Sequence, residues 1–204
     1  CDFLDNAKTL VRQALIRLNK LWRSGSTLMK IELVETFLVD RFLIVRITTD
    51  NGIQGIGEAT FWAFPRAAEE IVKTFSVNLI GMDPSNIDFI WNYLHRSYSF
   101  RGNAISSAIS AIDIALWDIK GKRLQAPVWD LLGGKARHKI RAISLGVSGS
   151  NLDQVVDKAK EIKKAGFTAL KFTSMPDEWW MMHYSSVIRG SVQMLEAMRE
   201  TVGW

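Results

Sequence analysis

The sequence predicts an α+β domain followed by the first βα units of an incomplete (β/α) barrel. Three observations predict it. Three β-rich runs separated by turn signals lie between Ile31 and Thr60, a long helix with one apolar stripe follows Asn103, and beyond Gly134 the periodicity alternates between strand and helix.

The first domain reads in order from Met29. Ile31 to Val39, Phe42 to Thr49 and Ile53 to Thr60 are rich in Val, Ile, Thr and Phe, and Asp40-Arg41 and Asp50-Asn51-Gly52 separate them. This pattern is a three-stranded antiparallel meander, and the Asn-Gly pair marks a hairpin because it readily supplies positive φ. Gly55 and Gly57 weaken the third run as a strand, so they mark a bulge or a close backbone approach. A helix is expected over Pro65 to Leu79 and another from Asp83-Pro84, where aspartate caps and proline fits the first turn, with Ile90, Trp91 and Leu94 in the core. In the long helix, Ile105, Ala108, Ile109, Ile112, Ala115, Leu116 and Ile119 recur at spacings of three and four. Asn103 is its expected N-cap, Gly121 its end, and Pro127 the first residue of a short helix stopped by Gly133-Gly134. Asp113 and Asp118 on that helix are expected to be solvated or paired with a base such as Lys122.

After Gly134, Ile140 to Val147 reads as a strand, Asn151 to Ala165 as a helix, Ala169 to Phe172 as a strand and Val187 to Val202 as a helix. Such alternation predicts parallel strands joined by crossovers, with functional groups at the C-terminal strand ends. Those ends fall at Ser144 to Ser150 and Lys171 to Tyr184. A complete barrel takes about 250 residues, so the stretch from Lys135 to Trp204 holds two units of one. The expected organisation is therefore an extension (residues 1–28), an α+β domain (29–134) and a partial barrel (135–204).

A chain of 204 residues with 48% hydrophobic content can bury a sizeable core. No apolar run approaches the ~18 residues of a membrane span and no leader pattern is evident, so a soluble, cytoplasmic protein is expected. A lone cysteine, Cys1, excludes an internal disulfide framework. The net charge of +5 is concentrated in residues 1–28, where five basic side chains face two acidic ones. A surplus placed there argues against nucleic-acid binding, which calls for a basic face with recognition context. In residues 7–23, Val11, Ala14, Leu15, Leu18, Leu21 and Trp22 share a helical face, giving a basic amphipathic helix. Such a helix can lie on an anionic membrane, fill a partner's groove or dock on its own domain. The chain begins with Cys and the domain pattern with Met29, so residues 1–28 read as an extension or upstream translation.

The stretch Ser106-Ser-Ala-Ile-Ser-Ala-Ile-Asp-Ile-Ala-Leu-Trp-Asp-Ile-Lys-Gly-Lys-Arg-Leu-Gln-Ala-Pro-Val-Trp-Asp-Leu-Leu-Gly-Gly134 resembles the signature of the mandelate racemase and muconate lactonizing enzymes of the enolase superfamily. The order of meander, helices and βα units strengthens the resemblance, which covers Met29 to Trp204. It implies that residues 29–134 cap the mouth of a modified TIM-like barrel, the capping loops selecting substrate and the strand ends carrying the chemistry. The loop Phe61-Trp-Ala-Phe-Pro-Arg66 then reaches over that mouth, with Trp62 and Arg66 as substrate-binding residues. Arg66 would pair with a substrate carboxylate, which its planar fork suits.

By the same resemblance, Gly166-Phe-Thr-Ala-Leu-Lys-Phe-Thr173 matches the second barrel strand, where many members carry two lysines separated by one residue. Lys171 matches the first. Thr173 stands at the second, and a hydroxyl is no general base near neutral pH, which places a two-lysine racemase or cycloisomerase mechanism in doubt. Lys171 is the expected catalytic residue, holding its charge to steady the substrate carboxylate or the enediolate, with Thr173 contacting substrate. Removing the hydrogen alpha to a carboxylate puts a second negative charge beside the first, and a divalent cation offsets it. The resemblance implies Mg²⁺ held by three carboxylates on later strands, beyond Trp204, so no metal ligand is assigned within this chain. His183, in Trp179-Trp-Met-Met-His-Tyr184, is a weaker proton-shuttle candidate, and His95 and His138 have no distinguishing context.

The function these features imply is the N-terminal portion of an acid-sugar dehydratase acting on an aldonate such as galactonate or gluconate. Its partner is a small-molecule carboxylate, and a homo-oligomer is expected for the full-length protein. A racemase, epimerase or cycloisomerase of the same superfamily is one alternative. A non-catalytic fragment persisting through dimerisation or a partner is another.

Overall fold

A computed structural model of the chain describes residues 29–62, 64–99, 102–147 and 151–203. The chain divides into two units, Cys1–Lys135 and Ala136–Trp204. The amphipathic pattern at residues 7–23 lies outside the described residues.

In the first unit, β1 (Ile31–Val39), β2 (Phe42–Thr49) and β3 (Gln54–Glu58) form an antiparallel sheet in the order β1-β2-β3. Leu43, Val45, Ile47 and Thr49 alternate along β2 and are fully buried, as period-two patterning requires of a strand with one covered face. The first connection is a two-residue turn, with Val39 opposite Phe42 and Asp40 at φ 53°. In the second connection the positive φ falls on Gly52 alone (83°), not on Asn51, and the Gly52 N–H donates to the Thr49 carbonyl at 2.8 Å. The turn is therefore the three-residue kind that closes on a left-handed glycine. The buried Thr49 hydroxyl lies 2.7 Å from Asn51 Oδ1 and 2.8 Å from the Ile53 carbonyl, either of which accepts its proton.

Two helices cover the sheet, α1 (Pro65–Leu79) and α3 (Asn103–Leu124), and α2 (Ile87–Arg96) packs against α3. Ala108, Ile109, Ala111, Ile112, Ala115, Leu116 and Ile119 of α3 are buried, so the stripe predicted from spacing is the face that packs. Gly55 and Gly57 allow that packing. A Cβ at Gly57 would stand 1.9 Å from the Ala111 carbonyl oxygen, and one at Gly55 2.0 Å from that of Ala115. The β2–β3 register is unbroken, so close approach and not a bulge explains the glycines.

The edge strand β3 is also covered in a polar sense. The Ile56 N–H donates to Asp118 Oδ2 at 2.9 Å, Lys122 Nζ pairs with the same carboxylate at 2.8 Å, and Lys122 Nζ donates to the Gln54 carbonyl at 2.8 Å. Asp118 thus has the expected partner and a second role that spacing did not reveal. Asp113 differs. It is half-buried, and burial first, then the neighbouring Asp88 charge, hold its carboxyl above the usual range.

Several helix boundaries depart from expectation. Gly102 is the N-cap of α3, and Gly121 lies inside it. The helix stops instead at Gln125, whose left-handed φ of 52° lets the Ala126 N–H reach the Gly121 carbonyl. Pro127 caps the short α4 (Val128–Leu131) and is not its first residue. Asp83 accepts from the Ser85 N–H and forms a turn, so α2 starts four residues later than Asp83. Trp91 is 40% exposed and stacks on His95 at 4.6 Å, whereas Ile90 and Leu94 are buried as expected.

In the second unit, β4 (Ser144–Val147) and β5 (Leu170–Phe172) pair in parallel, with α5 (Leu152–Lys164) between them and α6 (Tyr184–Val202) after a single 3₁₀ turn (Trp179–Met181). Asn151 caps α5 by accepting from the Gln154 N–H at 3.0 Å. The strand expected from Ile140 begins only at Ser144. Ile140 is 85% exposed, and the short β5 gives residues 140–143 no ladder to join. Helix α6 starts three residues earlier than Val187, since the His183 carbonyl accepts from the Ser186 and Val187 N–H groups.

Candidate functional site

The loop after β3 is anchored at its base and open at its tip. Ala59 is fully buried, and Phe61 packs against the core of the first unit. The Phe64 N–H donates to the Phe61 carbonyl at 2.8 Å, and the two rings lie 6.0 Å apart. This brace closes a tight turn that leaves Trp62 79% exposed. An indole so exposed is not core packing.

Pro65 opens α1 and places Arg66 in its first turn, with an exposed side chain. Arg66 faces Glu69. The Glu69 carboxyl is held below the usual range chiefly by its hydrogen bond to Lys73, with burial opposing and with smaller lowering contributions from Thr36 and the charges of Lys73 and Arg66. The Lys73 ammonium lies 3.0 Å from Glu69, and the Thr36 hydroxyl 3.1 Å.

The second candidate region is the end of β5. Leu170 and Phe172 pack against the core of the second unit, so the alternation of the strand turns Lys171 to the opposite, exposed face. Thr173 is two residues on, also exposed, and shares that face. The structure thus brings Trp62 and Arg66 to one loop and helix start, and Lys171 and Thr173 to one strand end. His183 is exposed at the start of α6 with Nδ1 2.9 Å from the Ser185 hydroxyl. Trp179 and Trp180 meet edge to face at 6.2 Å, and Trp180 is 67% exposed.

Sequence reasoning did not single out Arg41. Its guanidinium lies 5.2 Å from the centre of the Phe42 ring and 5.9 Å from that of Trp62, so the β1–β2 turn and the Phe61–Arg66 loop meet at one cation. The available signal was an arginine inside a two-residue turn, where a side chain has to project from the end of the hairpin.

Among the described residues, no group of three or more His, Cys, Asp or Glu side chains could hold a metal ion. The described residues by themselves therefore do not fit a resident Mg²⁺. Among them, too, no helix is long and apolar enough to cross a membrane.

The family model of the mandelate racemase / muconate lactonizing enzyme N-terminal domain matches residues 16–133. The match takes in residues ahead of Met29 that lie outside the described ones. Solved structures agree with it. One similar protein is a candidate dehydratase from Zymomonas mobilis ZM4, 32% identical, with a TM-score of 0.79 over 86% of this chain and 52% of that one. A second is an enolase from Agrobacterium radiobacter named as a candidate galactarate dehydratase, with sodium and L-malate bound: 29% identity, TM-score 0.74, 85% of this chain and 45% of that one. A third is an enolase from Pantoea ananatis with bound D-gluconate and magnesium, at 25% identity and TM-score 0.73 over 86% of this chain and 51% of that one. The chain spans about half the length of these proteins.

Proposed function

Since the chain belongs to the mandelate racemase / muconate lactonizing enzyme N-terminal domain family of the enolase superfamily, we propose that it is the capping domain and first barrel strands of an acid-sugar dehydratase. The substrate class is an aldonate such as galactonate or gluconate, and the product a 2-keto-3-deoxy acid. The observation that carries this reading is the family match over residues 16–133, joined to a lysine at the exposed end of β5. The similar structures named as candidate dehydratases support it.

The reaction begins by removing the proton alpha to the substrate carboxylate. Lys171 holds a positive charge beside the growing enediolate, a contribution that counts for more where water is excluded. Thr173 contacts the substrate without taking a proton, so the base comes from outside this strand. Arg66 and Trp62 bind the substrate from the capping loop, the arginine through its planar fork. A proton from an acid that, like the base, lies outside this strand lets the β-hydroxyl leave as water, and the resulting enol tautomerises to the 2-keto-3-deoxy acid. Mg²⁺, when bound in this superfamily, offsets the second negative charge of the enediolate. On this reading its ligands lie outside the described residues.

The test incubates the purified chain joined to the later barrel strands of the full-length protein, which this reading requires for the base and for Mg²⁺, with D-gluconate, D-galactonate and galactarate in Mg²⁺, in D₂O, and follows both products. A 2-keto-3-deoxy acid supports the dehydratase. Exchange of the alpha hydrogen without loss of water points instead to a racemase or epimerase. Neither product from any acid sugar favours a non-catalytic chain. If turnover is seen, Lys171→Ala is expected to lower kcat by about a hundredfold or more while leaving the fold unchanged.

A further inference from the structure

We propose that Asn51 is a self-modification site: the backbone nitrogen of Gly52 attacks its side-chain amide, ammonia is released, and aspartate or isoaspartate is left in the β2–β3 turn. Three observations carry the proposal. First, the chain has eight asparagines, and Asn51 alone precedes a glycine. A side chain on the following residue crowds the five-membered ring that the attack closes, and a hydrogen does not. Secondly, Asn51 is exposed in the turn, within reach of water, and nothing stands within 4 Å of where a Cβ on Gly52 would lie. Thirdly, two donors converge on Asn51 Oδ1. The hydroxyl of the fully buried Thr49 lies 2.7 Å from it, and the Ile53 N–H donates to it at 3.4 Å.

The Gly52 nitrogen gives up its proton to solvent and bonds to Asn51 Cγ, which places negative charge on Oδ1. The bond from Cγ to Nδ2 then breaks, and that nitrogen takes a proton from water and departs as ammonia. Water opens the cyclic imide at either carbonyl: at Cγ it gives aspartate, and at the backbone carbon it gives isoaspartate. The oxygen that gains charge is the one the two donors face, so the folded turn stabilises the transition state as an oxyanion hole does. The Thr49 hydroxyl has a second acceptor, the Ile53 carbonyl at 2.8 Å, and the growing charge draws its proton to Oδ1. One contact opposes the step. The Gly52 N–H is bonded to the Thr49 carbonyl at 2.8 Å and has to leave it, but at an exposed turn such local opening costs little, and the donors at Oδ1 outweigh it. Aspartate keeps both donors. Isoaspartate adds a main-chain carbon to a turn that closes on Gly52 at φ 83°, and so loosens the hairpin that carries Gly55 and Gly57 against α3.

The test stores the purified chain at pH 6 and pH 8 and follows every asparagine by peptide mapping, with isoaspartate separated from aspartate. Asn51 is expected to convert ahead of the other asparagines, faster at pH 8, with isoaspartate among its products. Thr49→Val is expected to slow the conversion about tenfold, the worth of one hydrogen bond to a developing charge, and Thr49→Ser to restore it. A variant that merely loosened the turn would convert faster. Should Thr49→Val fail to fold, the unaltered chain in unfolding urea replaces it: with neither donor held at Oδ1, Asn51 is expected to convert more slowly than in the folded protein. Conversion no faster at Asn51 than elsewhere, aspartate without isoaspartate, or a rate that Thr49→Val or unfolding leaves unchanged or raises, overturns the proposal.

Discussion

The first unit buries a large continuous core and the second only a small one. Phe75, Ile31, Leu43, Ile47, Leu79 and Ile112 are each at most 1% exposed, within a cluster to which every strand and long helix of the first unit contributes except β3, where glycine replaces side chain. The buried set of the second unit is Val147, Val155, Ala159, Ile162 and Met198. Around it Leu145 is 68% exposed, and Ile188, Val192 and Leu195 stand at 48%, 45% and 46% along one side of α6. An apolar cleft also opens between Phe167, Leu170, Phe172, Leu195, Met198 and Val202. The difference follows from architecture. A meander beneath helices completes its own two layers, whereas a barrel strand is covered on both faces only when its neighbours are in place.

The contrast breaks most severely at the glycine pair. Gly57→Ala puts a methyl into the Ala111 carbonyl, and a loss of about 3 kcal/mol or more is expected, read by urea unfolding of the first unit. If the loss is under about 1 kcal/mol, the close approach of β3 and α3 is not what holds them. Core truncation sharpens the same comparison: Ile112→Ala should cost about 2–5 kcal/mol, and Val155→Ala about 1–2 kcal/mol. Native-state hydrogen exchange should rank β2 and α3 above β5 and α6 in protection; equal protection would show that the second unit gains cover not evident here.

Asp118→Asn tests the polar covering of β3. The Ile56 N–H keeps an acceptor, but Lys122 loses its ion pair, so a loss of about 1 kcal/mol is expected; Asp118→Ala removes both and should cost about twice as much.

The smallest effect is the one that raises stability. The Asp113 carboxyl is raised in the folded protein, so it binds its proton more tightly folded than unfolded. Its favourable contribution is present at low pH and is lost as pH rises through the folded value. Asp113→Asn should therefore stabilise the first unit at neutral pH by less than about 1 kcal/mol, and the gain should disappear in acid, as thermal unfolding at pH 3 and pH 7 would show.

What could be read from residues alone follows from how local the determinants are. The stripe on α3 is a one-element pattern legible from spacing, and it is the face that packs; which face of β2 is buried was not read from the sequence. The substitution of glycine for side chain at Gly55 and Gly57 announced a special contact, but its partner on α3 lies more than fifty residues away and no spacing rule reaches it. Boundaries failed where a carbonyl or a cap decides them, as at Gln125 and His183. The strand before Ser144 failed because ladder formation depends on a partner's length. Trp62 and Arg66 were named only because the resemblance singles out their loop. The contact of Arg41 with the ring of Trp62, twenty-one positions away, is one that sequence order hides.

The ion pair laid along β3 has a bearing on misassembly. Exposed sheet margins are where foreign extended segments add themselves and where amyloid growth is templated. At this margin a newcomer would have to displace Asp118 from the Ile56 amide and Lys122 from the Gln54 carbonyl, and so lift a whole helix, before its own backbone could pair.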